Sequence, residues 1–210
     1  MEGFMYAFHP QFDRIMNTIK SNILGEISYA HSMFSFPIQP ARFYRINRSI
    51  QNGGGALWDI GPYAIHTIRQ CFTENPMRVK AIAKLNEHGA DISTTGLIDF
   101  GDSKRATFDI SFECTRRSGF EAFGPLGRVL CPTVWQPDDK QAKIIINTEC
   151  SGLTEEVLPA ANHFVLEINH FNKVISSNIS PKLSNEDAFW NAKTLESILQ
   201  SVREDDWVNL

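Results

Sequence analysis

Apolar residues recur at steps of three and four between His9 and Ile23, where Phe12, Ile15, Met16, Ile19 and Ile23 form one stripe. That spacing predicts an amphipathic helix, with Gly25 placed to end it. A strand-like run follows over 26–36, bounded by Pro37 and Pro40, and residues 37–52 read as irregular. A helix is predicted over roughly 59–72. The period then changes. Val79, Ala81, Ala83 and Leu85 alternate with Arg78, Lys80 and Lys84, although Ile82 intrudes on the polar side. Over 92–100, Ile92, Gly96, Ile98 and Phe100 share one face, opposite Asp91, Ser93, Thr95 and Asp99. Over 105–112, Ala106, Phe108, Ile110 and Phe112 oppose Arg105, Thr107, Asp109 and Ser111. Alternation with one polar face predicts an antiparallel sheet covered on one side only. Gly101-Asp102-Ser103 fits a hairpin turn between the last two strands.

Further strands are expected near 119–130 and 143–148. Two helices close the chain, one with the stripe Phe164, Ile168, Phe171 and Ile175, the other with Ala188, Ala192, Leu195, Leu199 and Val202. Ser184, with Asp187 three residues on, resembles a capping box with Asp in place of the usual Glu or Gln. With no internal repeat and no linker, the pattern predicts a single α+β domain over 1–210. Its architecture is an open, mostly antiparallel sheet with helices packed on one face.

Composition changes this picture little. A net charge of −4 over 210 residues gives no electrostatic footprint for nucleic acid. No apolar run reaches the roughly 20 residues of a membrane span, and the N-terminus does not read as a signal peptide. The four cysteines, Cys71, Cys114, Cys131 and Cys150, contain no C-x-x-C pair and read as reduced thiols of a cytoplasmic protein.

The candidate chemistry lies in "GGGALWDIGPYAIH", residues 53–66. On a continuous helix Asp59, Tyr63, His66 and Gln70 share one face, and Leu57, Ile60, Ala64, Ile68 and Cys71 share the other. A carboxylate, a phenol and an imidazole in one row can exchange a proton with a bound hydroxyl or carbonyl. Pro62 supports a second account, in which Asp59 is the helix N-cap and the row is incidental. Gly53, Gly54 and Gly55 admit two readings also: a tight turn, or close approach of the backbone to a cofactor or substrate, at Gly54 and Gly55 in particular.

The chain resembles the C-terminal domain of the Gfo/Idh/MocA oxidoreductases. The resemblance rests on "EGFMYAFHPQ" at 2–11, "YRINRSIQNGGGALWDIGPY" at 44–63, "EINHFNKVI" at 167–175 and "SPKLSNEDAFWNAKTLESI" at 180–198. In motif it is closest to the glucose–fructose oxidoreductase and dimeric dihydrodiol dehydrogenase branch. The resemblance implies hydride exchange between a sugar, polyol or diol CH–OH group and NAD or NADP, with no metal. Asp59 and Tyr63 then match catalytic positions. Arg45 matches an arginine that precedes the glycine run, and His66 and Trp58 are candidate substrate contacts. Ala7 departs from the family's usual arginine. Residues 1–25 correspond to the lead-in segment and first helix of that domain.

The family's nucleotide-binding domain, with its G-x-G-x-x-G turn and reactive lysine, has no counterpart here. The expectation is a truncated oxidoreductase, inactive without such a domain, which a separate nucleotide-binding chain would also supply. The alternative is a non-catalytic sugar-binding or assembly module. The free sheet face is expected to form homo-oligomers. Elsewhere, His163, Glu167 and His170 share a helix face without the second motif that a di-iron site needs. Arg42 and Arg48 read as surface charges, and Phe43 and Trp58 as sugar-stacking or core aromatics.

Overall fold

Strand β1 (Tyr29–Ser35) pairs parallel with β4 (Lys104–Ser111) on one side and antiparallel with β5 (Arg117–Gly124) on the other. In the computed structural model, which describes residues 1–137 and 141–210, every other pairing of the named strands is antiparallel. The remaining strands are β2 (Arg78–Leu85), β3 (Asp91–Gly101), β6 (Gly127–Cys131), β7 (Gln141–Thr148), β8 (Gly152–Pro159) and β9 (Val208–Asn209). The nine run in the order β8-β7-β6-β5-β1-β4-β3-β2-β9. This is the open, mostly antiparallel α+β sheet that the alternation predicts.

The two faces differ as that alternation requires. Ala30 and Phe34 of β1, Ala106, Phe108 and Ile110 of β4, and Phe120 and Ala122 of β5 are buried beneath helices. The helices are α1 (Pro10–Lys20), α2 (Ala56–Asp59), α3 (Gly61–Arg69), α4 (His163–Ser177) and α5 (Asn185–Glu204). The other face is polar: Thr107 Oγ1 meets Tyr29 Oη at 2.6 Å and His31 Nδ1 at 2.7 Å, and Asp109 pairs with Arg117. Ile82 stands exposed on it, as its place among the polar positions implies. Among the described residues no helix is long and apolar enough to cross a membrane, and all four cysteines are free.

Several elements depart from the sequence reading. Helix α1 stops at Lys20, because Asn22 already takes a left-handed φ of 61°, and Ile23 is left exposed outside the stripe. The run 119–130 is two strands, β5 and β6, joined by a turn at Pro125-Leu126. Strand β8 was not predicted. It is an edge strand with most residues exposed, so it shows little alternation of burial. The stripe Phe164, Ile168, Phe171 and Ile175 of α4 is exposed rather than covered, and the helix rests on the turn at Met5–Phe8. Ser184 does cap α5, accepting from Asp187 N–H at 3.0 Å, but the Asp187 side chain reaches elsewhere.

Candidate functional site

The predicted helix over 59–72 is broken. Helix α2 ends at Asp59 and α3 begins at Gly61, with Ile60 between them at φ −117°. Pro62 has no N–H to donate back to the carbonyl of Trp58, so the ladder is interrupted and Pro62 falls in the first turn of α3, where it is tolerated. Ile60 holds the N-cap position of α3, so Asp59 is not the cap of this helix. Its carboxylate turns to Arg45, whose Nη1 donates to Asp59 Oδ1.

Asp59 Oδ2 is buried and receives no hydrogen bond among the described residues. Asp59 borders a cleft of about 400 Å3 walled also by Arg42, Arg45, Tyr63 and Gln136, with Phe34, Phe36, Trp135 and Phe164 as apolar surfaces. The cleft opens where β1 ends, since Phe34 and Phe36 flank the last residue of that strand. Trp135 is fully buried and stacks on Phe34 at 4.7 Å between ring centroids. A wider depression of about 620 Å3 borders 69–75, and Lys104 in its wall is committed to Glu26 and Glu74 at 2.8 and 2.6 Å.

Electrostatics in the cleft set the state of each group. Burial raises the pKa of the Tyr63 phenol, the charges of Asp59 and Glu167 raise it further, and Arg45 opposes them. Tyr63 is therefore a neutral hydroxyl at neutral pH, able to donate a hydrogen bond. Arg45 is held above its ordinary range, chiefly by its hydrogen bond to Asp59.

His66, expected to join this row, lies outside it. With the helix broken at Ile60, residues 59 and 66 no longer share one face, and His66 is fully buried. Its Nε2 lies 3.1 Å from Asp187 Oδ2 of α5, and its Nδ1 meets the Tyr6 hydroxyl. Burial lowers the His66 pKa against the pull of Asp187, so the imidazole is neutral, with Nε2–H facing Asp187 and Nδ1 accepting from Tyr6. Asp187 also takes Arg69 Nη1 at 3.0 Å and Gln70 Nε2 at 2.8 Å. Thr67 Oγ1 donates to the Tyr63 carbonyl at 2.8 Å and accepts from Trp135 Nε1 at 2.8 Å. This network fixes the backbone that carries Tyr63; His66, Thr67 and Asp187 do not line the cleft, whereas Trp135 does.

Trp58 is also outside the Tyr63 cleft. Its Nε1 donates to Ile50 O at 2.7 Å, and its ring borders a separate cavity with Tyr44, Arg45, Arg48 and Asp59.

The glycines have a reason internal to the chain. A Cβ on Gly54 would lie 1.9 Å from Arg48 O, and one on Gly55, where φ is +100°, would lie 1.8 Å from Asp91 Oδ1. Asp91, which the alternation puts on a polar strand face, is fully buried. It accepts from Leu57 N–H at 2.8 Å and Thr94 Oγ1 at 2.7 Å, and so caps α2 from β3. Alternation along a strand carries no signal for such a contact, which makes Asp91 the supporting residue that sequence reasoning missed. A dinucleotide pyrophosphate needs open backbone N–H groups at a helix N-terminus. Here a carboxylate occupies that position, so contacts within the chain account for Gly54 and Gly55. Among the described residues no group of three or more His, Cys, Asp or Glu side chains is placed to hold a metal ion.

Residues 12–130 match a family model described as the GFO/IDH/MocA C-terminal domain. An uncharacterised oxidoreductase of Rhizobium meliloti is 27% identical over 213 residues, covering 98% of this chain and 63% of its own length. Among solved structures, an aldose-aldose oxidoreductase from Caulobacter crescentus complexed with glycerol superposes with a TM-score of 0.87 at 19% identity. The match covers 99% of this chain and 63% of that one. A 3-ketoreductase from Actinomadura kijaniata, in complex with NADP and TDP-benzene, gives 0.85 at 24% identity over 96% of this chain and 62% of that one. The chain thus spans a little under two thirds of the length of these relatives.

Proposed function

The chain belongs to the GFO/IDH/MocA family through its C-terminal domain, and on that premise we propose that the Arg45–Asp59–Tyr63 cleft is the substrate end of an NAD(P)-dependent oxidoreductase acting on a sugar, polyol or diol. One observation carries this reading. Asp59, which carries a buried, unpartnered acceptor oxygen, lines the same cleft that Tyr63 borders with a neutral phenol. Buried polar atoms are normally satisfied, so an orphan on a residue that lines a cavity fits a ligand group there. Asp59 Oδ2 accepts from a substrate hydroxyl, while Arg45 holds Oδ1 and fixes the carboxylate plane. Tyr63 donates to the substrate oxygen when a carbonyl is reduced. In the oxidising direction the phenol must first lose its proton, and burial opposes that. A cation brought by a nucleotide-binding domain would favour the phenolate. The aromatic walls suit the apolar face of a sugar ring.

Contacts within the chain account for Gly54 and Gly55, and dinucleotide binding is assigned to a nucleotide-binding domain, on a longer form of the chain or on a partner. By itself the 210-residue chain is expected to bind NAD(P)H weakly and to turn nothing over. The polar sheet face, with His31, Thr107 and Asp109, is the proposed homo-oligomer surface. The test supplies a nucleotide-binding domain by fusion and follows absorbance at 340 nm with aldoses, polyols and diols. Reduction of NAD or NADP supports the oxidoreductase. Sugar binding with no redox turnover would favour a binding module instead.

A further inference from the structure

Arg42 and Arg45 lie on one 3-10 helix, Pro40–Arg45, and both border the cleft that holds Asp59 and Tyr63. A 3-10 helix turns once in three residues, so side chains at i and i+3 stand one above the other. The two guanidinium groups are thereby presented along one edge. Their electrostatic situations differ. Arg45 is neutralised by Asp59, whereas the Arg42 side chain makes no ion pair or hydrogen bond among the described residues. Among the described lining residues Asp59 is the one carboxylate while Arg42 and Arg45 are both cations, so that lining carries one positive charge in excess. The charge of Glu167 reaches the cleft at Tyr63 rather than pairing with Arg42.

The position is also preorganised. Pro40 begins the helix with its φ fixed, and Arg42 N–H donates back to Gln39 O at 2.8 Å. A guanidinium presents a planar fork of donors that matches carboxylate and phosphate oxygens. Arg42 is exposed, so the charge stands at the rim while Asp59 and Tyr63 lie deeper.

We propose that Arg42 makes this cleft selective for an anionic sugar, one carrying a carboxylate or phosphate at the end remote from the hydroxyl that Asp59 and Tyr63 receive. The proposal rests on the substrate site described above and specifies its ligand class. A neutral sugar fills the inner cleft and leaves Arg42 to water. A sugar acid or sugar phosphate adds a charge-assisted contact at the rim.

The test is titration of the 15N-labelled full chain with D-glucose, D-glucuronate and D-glucose 6-phosphate, read from amide shifts around residues 59–63. Both anions are expected to bind about fivefold more tightly than glucose, the span of a solvent-exposed ion pair. In Arg42→Gln that ratio collapses towards one, and in Arg48→Gln, which borders the separate cavity, it persists. Raising salt from about 50 mM to about 500 mM should erode the ratio, since the contact is screened. Preference for glucuronate alone or for the phosphate alone identifies the anion and supports the assignment if Arg42→Gln abolishes it. Equal affinity for all three sugars, or an anion preference that survives Arg42→Gln, overturns the role of Arg42 while the substrate site stands. Absence of any sugar-dependent shift at 59–63 overturns both.

Discussion

Arg45 Nη1 donates to Asp59 Oδ1 across the space between a 3-10 turn and a separate four-residue helix. Each side chain is about a quarter exposed, so the pair is shielded enough to matter and open enough to meet a ligand. Arg45→Met should leave Asp59 without its cation and cost about 1–3 kcal/mol in a urea titration. A change below about 0.3 kcal/mol would show the pair to be an ordinary surface contact.

Asp91 links β3 to α2 through Leu57 N–H, and its pKa is raised to about 6, by burial first and against the hydrogen bonds it accepts. The folded chain holds this proton where the unfolded chain, titrating near 3.8, has lost it. The Asp91 contribution to stability is therefore full below about pH 4 and lost as pH rises through about 6. Relative to Asp91→Asn, the parent should lose about 2–3 kcal/mol between pH 4 and pH 7. Parallel stability curves for the two would contradict the burial of this carboxylate. Gly55→Ala strikes the same contact, and thermal melts should show a loss of about 2–4 kcal/mol from the clash and the positive φ.

His66→Ala should act on stability rather than on substrate affinity. It removes the partner of Asp187 Oδ2 and of the Tyr6 hydroxyl in a fully buried site, at a cost of about 2–4 kcal/mol. KM should stay within about threefold of the parent in the nucleotide-supplied enzyme, because His66 does not border the cleft. A large rise in KM with unchanged melting would return His66 to the substrate site.

What the sequence reveals of this molecule follows from the range of each interaction. Strand β2 is found over 78–85 as its alternation predicts, because a half-covered strand writes its two environments into neighbouring residues. Ser184 is legible as a cap because its partner N–H is three residues away. Asp59 and Tyr63 are legible together because they lie within one short stretch, whereas Arg45 joins them through the family resemblance. Asp91, Asp187 and His66 are misread for the opposite reason. Their partners lie 34 residues away for Leu57 and 121 for the Asp187–His66 contact, and local periodicity is blind to both. The α4 stripe has the spacing of a buried helix, yet the described residues leave Phe164, Ile168, Phe171 and Ile175 exposed. Periodicity identifies an apolar face without identifying what covers it.

On the proposed reading Tyr63 transfers the substrate proton, and turnover of Tyr63→Phe decides whether it does. With a nucleotide-binding domain supplied and a responsive sugar or diol in hand, Tyr63→Phe should lower kcat by about 10²–10⁴-fold while KM changes little. The parent's oxidising kcat should rise with pH as the Tyr63 phenol ionises, and this dependence should vanish in the variant. A Tyr63→Phe enzyme with near-normal kcat and an unchanged pH profile would contradict the account.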